Sequence, residues 1–110
     1  MRSGLAPNRA DILFLDWSFG PSQSGRTPAL IISPEAYNRL SGLVFVCPIT
    51  QTVRGYPFEV ILPKNLGIAG AVLADRPQSL NWQSCHPEFA ARAPMAVLEE
   101  TTAKIKSLLE

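Results

Sequence analysis

The sequence predicts a mainly β domain, in which short antiparallel strands form a small barrel accompanied by short helices and a C-terminal α-helix. Three observations lead to this fold class. Five short apolar runs are separated by turn residues at close spacing. The 10 prolines suit strand ends and edges better than the interior of a sheet. The last segment changes to helical periodicity. The length of 110 residues fits one domain, which we assign to 1–110.

Each predicted strand is an apolar run bounded by polar or turn residues. The first run opens after Asp11, Pro34 follows the second, and Gly42 precedes the third. Prolines flank the fourth run, and a polar turn follows the fifth. We therefore predict strands over 12–15, 29–32, 43–47, 58–62 and 70–74, with a short helical turn over 35–40.

The C-terminal helix is predicted from its charge order and its apolar spacing. Pro94 suits a first helical position. Glu100 and Lys104 form an i,i+4 pair in the order that complements the helix dipole. The predicted apolar stripe comprises Leu98, Ile105 and Leu109. These features indicate an amphipathic helix of about four turns.

The charge balance limits the classes of function. Ten Lys+Arg against nine Asp+Glu give a formal net charge of +1, so a nucleic-acid function needs a local basic patch rather than a basic protein. The hydrophobic content of 46% excludes a disordered tail. The low charged content of 17% fits either a surface covered by a partner or a compact β domain with few charged helices.

Targeting and cysteine signals indicate a cytoplasmic protein. The sequence has no apolar run long enough to span a membrane, and residues 1–9 lack the apolar stretch of a secretory signal. Cys47 and Cys85 are too few and too far apart to indicate a zinc site or a disulfide framework. We predict two unrelated reduced thiols and no metal or other cofactor.

Familiar catalytic arrangements are not supported by the sequence. The single histidine, His86, excludes a histidine pair, and its Cys-His-Pro context favours an ordinary loop residue. Two polar loops remain, at 22–27 and 48–55, each with hydroxyls, amides, a glycine and one arginine, Arg26 or Arg54. A guanidinium beside hydroxyl donors suits a phosphate, although two solvated turns explain the same composition.

Four segments carry a resemblance to a known family. They read DILFLDW at 11–17, QSGRTPALIISPEAYN at 23–38, CPITQTVRGYPFEVIL at 47–62 and GAVLADRPQSLNW at 70–82. The chain resembles the MazF/PemK family, the toxin halves of bacterial toxin–antitoxin pairs, and GYPFEV at 55–60 is especially specific. The resemblance implies an SH3-like barrel with a C-terminal helix. It also implies a homodimeric, metal-independent endoribonuclease that cuts single-stranded RNA at a short sequence.

The resemblance further implies the chemistry of cleavage. In the family the RNA 2′-hydroxyl attacks the adjacent phosphorus and leaves a 2′,3′-cyclic phosphate and a 5′-hydroxyl, aided by an Arg before a Pro-Ala pair and by a Thr in a Pro-x-Thr loop. Thr50 matches the Thr. Thr27 stands where the family has Arg, and Arg26 is one residue early, which in extended backbone points it to the opposite face. A shorter 18–25 loop could shift the register and bring Arg26 round. The predicted catalytic positions are Thr50, Arg26 and Thr27.

RNA binding is predicted to use the two loops, the basic residues near them and aromatic stacking platforms. The predicted set is Phe19, Gln23, Gln51, Thr52, Arg54, Tyr56, Arg76 and Gln78. Phe19 is the preferred residue for reaching a base. Tyr37 and Trp82 are either further platforms or packing residues, and Trp17 and Phe58 are predicted to face the core.

Three hypotheses about function follow. The first is a sequence-selective endoribonuclease toxin, whose cognate antitoxin lays an acidic, disordered C-terminal segment in the groove of the toxin homodimer. The second is a catalytically impaired homologue, natural or engineered at Thr27, that still dimerises and binds antitoxin. The third is a small barrel that binds another protein partner. By analogy with the family, the strand at 43–47 and the C-terminal helix are predicted to pair the protomers.

Overall fold

The computed structural model describes residues 6–18 and 25–110. Its elements in chain order are β1 (Asp11–Asp16), β2 (Arg26–Ile31), α1 (Glu35–Ser41), β3 (Leu43–Thr50), β4 (Glu59–Ile61), β5 (Ala71–Leu73), β6 (Gln78–Asn81), β7 (Glu88–Arg92) and α2 (Met95–Ser107). A 3-10 turn over Lys64–Leu66 lies between β4 and β5. None of the helices in this part of the chain is long and apolar enough to cross a membrane.

The seven strands form one antiparallel sheet. Six of them follow the order β4-β5-β3-β2-β1-β7, and β6 lies off this path, paired with β3. The eight-residue strand β3 is the centre of this arrangement: β5 pairs with its end at Ile49 and Thr50, and β6 pairs with its first half, Leu43–Val46. Within the described strands, β4 and β7 are the two ends of the path and do not pair with each other. The mainly β fold with a C-terminal helix is thus confirmed, with a sheet that does not close completely.

Alternation along the central strands builds two apolar clusters on opposite faces of the sheet, because successive side chains of a strand point to opposite sides. The helix-side cluster contains Ile12, Leu30, Cys47, Ile49, Val72 and Val97. The tryptophan-side cluster contains Leu13, Leu15, Trp17, Ala29, Val46 and Trp82. Full burial of each large aliphatic side chain contributes roughly 1.5–3 kcal/mol, so these clusters fix the register of β1, β2 and β3.

All five predicted strands occur in the structure, but the sequence does not predict β6 and β7. The four residues of β6 alternate between half-buried and exposed and include no β-branched side chain. The pairing of β7 with β1 contains a register shift between Ile12 and Leu13. Such short strands are held by pairing with a longer neighbour and not by their own propensity.

The C-terminal helix follows the prediction closely, with two differences. It begins at Met95, and Pro94 is the N-cap residue instead of the first helical residue. Glu100 Oε2 lies 3.8 Å from Lys104 Nζ, which confirms the i,i+4 pair. The prediction that Leu109 belongs to the apolar stripe is wrong: α2 ends at Ser107, and Leu109 is 81% exposed.

Candidate active site

Thr50 is the last residue of β3 and is held by its own loop. It pairs with Ala71 across the sheet, and its residue surface is 8% exposed. The Thr52 backbone N–H donates a hydrogen bond to Thr50 Oγ1 at 3.1 Å. A threonine hydroxyl that accepts this bond keeps its own proton for donation to another acceptor. The strand end therefore presents an oriented hydroxyl donor.

Gly70 allows the main chain of the next strand to come very close to Thr50. A Cβ built at Gly70 would overlap the Thr50 carbonyl oxygen and lie 2.9 Å from its carbonyl carbon. Gly70 also has φ +123°, a conformation that side chains rarely adopt. The position of Thr50 is consequently set by a backbone contact that only glycine permits.

The 51–58 loop, which follows Thr50, folds around the carboxylate of Glu59. Glu59 is buried, and its Oε1 accepts hydrogen bonds from the backbone N–H groups of Arg54, Gly55 and Tyr56 at 3.2, 2.9 and 3.1 Å. Its Oε2 also accepts from Arg54 N–H at 3.1 Å. Three successive N–H groups around one anion form a concave nest that fixes the backbone of the loop. Glu59 lies within the GYPFEV sequence at 55–60, and it is not among the predicted site residues.

Thr27 and Arg26 point to opposite faces of β2. Thr27 is 3% exposed, and its hydroxyl donates to the Trp17 carbonyl at 3.3 Å. It lies on the tryptophan side with Ala29, because these positions differ by two residues. The β2–β3 pairing ends at Ala29 and Pro48, which lie two positions from Thr27 and Thr50 respectively. Strand alternation therefore puts Thr27 and Thr50 on the face of this pair. The side chain of Arg26 points to the other face of β2, as expected from its one-residue offset.

Arg26 belongs instead to an exposed group of charges, which we call the Arg26 cluster: Asp16, Arg26, His86 and Glu88. Arg26 Nη1 donates to Asp16 Oδ1 at 2.9 Å and to the His86 carbonyl at 2.7 Å. Arg26 Nη2 donates to Glu88 Oε1 at 2.9 Å. These bonds engage three of the five N–H donors of Arg26, and a phosphate would have to share the guanidinium with two carboxylates whose negative charge opposes its approach. The 19–24 segment that was expected to shift the register lies outside the described residues.

His86 also contacts Asp16, and this pairing affects the carboxylate. His86 Nδ1 lies 2.9 Å from Asp16 Oδ2. The hydrogen bond from Arg26 is the main reason why the pKa of Asp16 lies below its ordinary value, and the hydrogen bond with His86 lowers it further. His86 is 77% exposed at its side chain and has a positive φ of 50°. It is a loop residue, as predicted, but one with a defined hydrogen-bond partner.

The remaining predicted RNA-binding residues fall into three groups. Phe19 and Gln23 lie outside the described residues. Gln51, Thr52, Arg54 and Tyr56 are all exposed on the 51–58 loop. Arg76 is exposed in the turn after β5, and Gln78 is half-buried in β6, where it pairs with Val46. The structure thus gathers four of the predicted residues in one loop beside Thr50.

Other reactive groups do not contribute an alternative centre. Burial raises the pKa of the Cys47 thiol to about 12, and both cysteines are free, as predicted. Trp82 is buried, and its Nε1 donates to the Asn38 carbonyl at 2.8 Å, so it is a packing residue and not a platform. Across residues 6–18 and 25–110, no three His, Cys, Asp or Glu side chains are grouped as metal ligands.

Comparison with known proteins places this chain in a class of small bacterial toxins. A family model described as "PemK-like, MazF-like toxin of type II toxin-antitoxin system" matches residues 8–109. The chain belongs to this PemK/MazF toxin family. It is similar to the endoribonuclease toxin MazF of Escherichia coli strain K12, with 35% identity over 111 residues that cover 99% of both chains.

Solved structures agree with the family assignment. The MazF structure (Form-I) from Deinococcus radiodurans has a TM-score of 0.88 and 46% identity, over 94% of this chain and 96% of that chain. A MazE–MazF structure (Form-II) from the same organism has a TM-score of 0.86 and 45% identity, over 94% and 95% of the two chains. The architecture of the described residues is therefore that of MazF toxins.

Proposed function

We propose that this chain is the toxin of a type II toxin–antitoxin pair and acts as an endoribonuclease on single-stranded RNA, with Thr50 at the scissile phosphate. The single observation that carries the proposal is the family match over residues 8–109, in which the Pro48-x-Thr50 sequence ends β3 with an oriented hydroxyl. The similar proteins from E. coli and D. radiodurans bear the names endoribonuclease toxin MazF and MazF. Cytoplasmic RNA is the substrate class that follows.

The proposed reaction uses the substrate's own 2′-hydroxyl as the nucleophile. The 2′-oxygen attacks the adjacent phosphorus as its proton is removed, the bond from phosphorus to the 5′-oxygen breaks, and that oxygen takes up a proton. The products are a 2′,3′-cyclic phosphate and a 5′-hydroxyl. Thr50 donates its hydroxyl proton in a hydrogen bond to a non-bridging oxygen, where negative charge grows in the transition state. The step needs no metal.

Further partners are part of the same proposal. A MazE–MazF complex exists for the D. radiodurans protein. By similarity, we propose a homodimer whose groove receives the acidic C-terminal segment of a cognate antitoxin. The pairing of protomers through the strand at 43–47 and through α2 stays a prediction.

Substitution of Thr50 tests the proposal. In Thr50→Ala we expect cleavage of a long RNA to fall by about 10²–10³-fold, the usual cost of one transition-state donor. Thr50→Ser keeps the hydroxyl and should restore most of the activity. Thr102→Ala is the matched control, because the Thr102 hydroxyl bonds only to Leu98 O within α2.

The readout is primer extension in the presence of EDTA, with direct kinase labelling of the new 5′-hydroxyl ends. Fragments that appear only with added metal, or full activity in Thr50→Ala, would refute the assignment. Equal losses in Thr50→Ala and Thr102→Ala would show a general effect of a lost hydroxyl and not a catalytic one.

A second candidate function rests on position 27, where a buried Thr faces the Thr50 side and Arg26 is bound to two carboxylates. This candidate is an impaired homologue that binds antitoxin without efficient cleavage. The discriminating variant is Thr27→Arg, which puts a guanidinium on the Thr50 face. If the wild type is a weak nuclease, its cleavage rate should rise by up to about 10²–10³-fold in Thr27→Arg. If the wild type is an impaired homologue, it should show no cleavage, and only the Thr27→Arg variant should cleave RNA. The double variant Arg26→Thr/Thr27→Arg keeps the net charge and controls for added basicity.

A further inference from the structure

The 51–58 loop is rigidly built although every residue from 51 to 57 is exposed. Its backbone is tied to Glu59 by the three N–H donors described above, and Glu59 N–H donates back to the Tyr56 carbonyl at 3.0 Å. Lys104 Nζ of α2 donates to the Pro57 carbonyl at 2.6 Å. An exposed loop with this many internal bonds is ordered before any ligand arrives, which lowers the entropy cost of binding.

The side chain that this loop presents is Tyr56. Its residue surface is 51% exposed, and its ring lies 6.0 Å from the ring of Phe58, centroid to centroid, at an angle of 48°. The Asp75 carboxylate, by hydrogen bonding and by its charge, raises the pKa of the Tyr56 phenol, while Arg76 acts in the opposite direction. The ring therefore packs beside Phe58, within the electrostatic influence of Asp75 and Arg76, with about half of the residue surface open to solvent.

We propose that Tyr56 is a pre-formed stacking platform for a nucleobase of the substrate RNA, and that Glu59 is the positioning residue that holds it in place. This inference rests on the proposed function, since it places the base within a few nucleotides of the phosphate at Thr50. Six residue steps lead from Thr50 to Tyr56, so their Cα atoms are at most about 20 Å apart. Stacking on an aromatic ring accepts any base, and Arg54 and Arg76 supply charge for the flanking phosphates.

The other aromatic candidates among the described residues are less suited to this role. Trp82 is buried. Tyr37 is 44% exposed, but it lies on α1, which leads into the start of β3. Seven residue steps along β3 separate that end from Thr50, or about 23 Å. Tyr37 therefore provides a matched control. It is a similarly exposed tyrosine, but it lies on the helix that precedes β3, whereas Tyr56 lies on the loop that follows β3.

The test measures binding to a probe that cannot be cleaved. The probe is a fluorescein-labelled, degenerate 12-nucleotide RNA with 2′-O-methyl ribose, titrated by fluorescence anisotropy at fixed salt. We expect Tyr56→Ala to raise Kd by about 5- to 150-fold, the affinity of one base stack. Tyr56→Phe keeps the ring and should stay within about threefold of wild type, as should Tyr37→Ala.

Glu59 is tested by its dependence on Tyr56. Glu59→Ala should raise Kd nearly as much as Tyr56→Ala, and the double variant should be no weaker than Tyr56→Ala alone, because Glu59 acts through the platform. Glu59→Gln should rescue part of the loss, since its amide oxygen can still accept from Gly55 and Tyr56. On cleavable RNA, Tyr56→Ala and Glu59→Gln should raise KM more than they lower kcat. If Glu59→Ala does not fold, Glu59→Gln decides the point.

The outcomes separate this inference from the proposed function. If the wild type cleaves RNA but Tyr56→Ala binds the probe as tightly as Tyr37→Ala does, the platform is wrong and the nuclease stands. Tyr56-dependent binding by a wild type that cleaves nothing supports the platform and overturns the nuclease. Losses that simply add in the double variant would show that Glu59 does not act through Tyr56. A wild type that cleaves RNA without affinity for the probe overturns the platform alone, and a wild type that neither binds the probe nor cleaves RNA overturns both.

Discussion

The start of β2 and the end of β3, which are neighbouring strands, differ in the partners of their polar side chains. At the end of β3, main-chain contacts from Gly70 and from the Glu59 carboxylate organise Thr50 and the loop that follows it. At the start of β2, Arg26 is bound to Asp16 and Glu88 on an exposed face. One strand end has its hydroxyl and its loop fixed by contacts with the main chain, and the other engages its cation in ion pairs within the fold.

The difference shows that a conserved-looking loop sequence and a competent site are separate properties. The family places an Arg before the Pro-Ala pair of β2, on the face that Thr27 occupies here. A shift of one residue in a strand moves the side chain to the other side of the sheet, where it finds other partners. The Pro48-x-Thr50 sequence can therefore match the family while the β2 position before the Pro-Ala pair carries a threonine and the neighbouring Arg26 forms ion pairs.

The strongest test of this comparison is Gly70→Ala. The added Cβ overlaps backbone atoms of Thr50, and φ +123° is strained for alanine, so we expect the free energy of unfolding to fall by about 3 kcal/mol or more. Cleavage should fall with it as Thr50 is displaced. The measurements are urea denaturation and the primer-extension assay.

Gly67→Ala is the control for backbone strain alone. Gly67 also has a positive φ, +85°, but a Cβ there meets nothing within 4 Å. Its cost should be limited to roughly 1–2 kcal/mol, the usual penalty of the left-handed region. Equal effects at the two glycines would show that the close approach to Thr50 carries no weight.

Arg26→Gln has a smaller expected effect and tests the β2 side directly. If Arg26 serves the fold, the variant should lower the melting temperature slightly, since exposed ion pairs contribute little, and should leave cleavage nearly unchanged. If the guanidinium leaves its carboxylates and reaches the phosphate, cleavage should fall by about 10²–10³-fold. Arg39→Gln, which breaks the largely exposed Arg39–Glu35 pair on α1, is the matched control.

The smallest expected effect is the pH dependence of the Arg26 cluster. Because the folded pKa of Asp16 lies below its ordinary 3.8, its ionised form stabilises the fold above that value, and this contribution is lost as pH falls through the folded pKa. The difference in unfolding free energy between wild type and Asp16→Asn should shrink as the pH falls below about 3.8, where the Asp16 carboxylate becomes protonated. A difference that grows in this acidic range would contradict the ion-pair account.

Much of the fold could be predicted because its longer elements obey simple periodicities. Apolar runs identified β1 to β5, and a proline followed by ordered charges identified the start of α2 to within one residue. The strands β6 and β7 escaped prediction because their stability comes from pairing with β3 and β1. Leu109 was misjudged for a related reason: helical spacing does not reveal where a helix ends.

The site could be predicted only where the sequence pattern coincided with local geometry. The opposite orientation of Thr27 and Arg26 follows from strand alternation alone. The partners of Arg26 do not, because Glu88 is 62 positions away and meets it only through the pairing of β7 with β1. Glu59 was not predicted as a site residue because its hydrogen bonds go to three backbone N–H groups. Every non-proline residue has such a group, so no sequence pattern marks these partners.

The contact between Gly70 and the Thr50 carbonyl has a consequence for redesign. Since the two main chains lie in contact, side chains of the neighbouring loop can be exchanged without adding any atom at this backbone contact. Substitutions in the 51–57 segment are therefore a way to vary the proposed RNA contacts one at a time while the backbone at position 50 serves as a fixed reference.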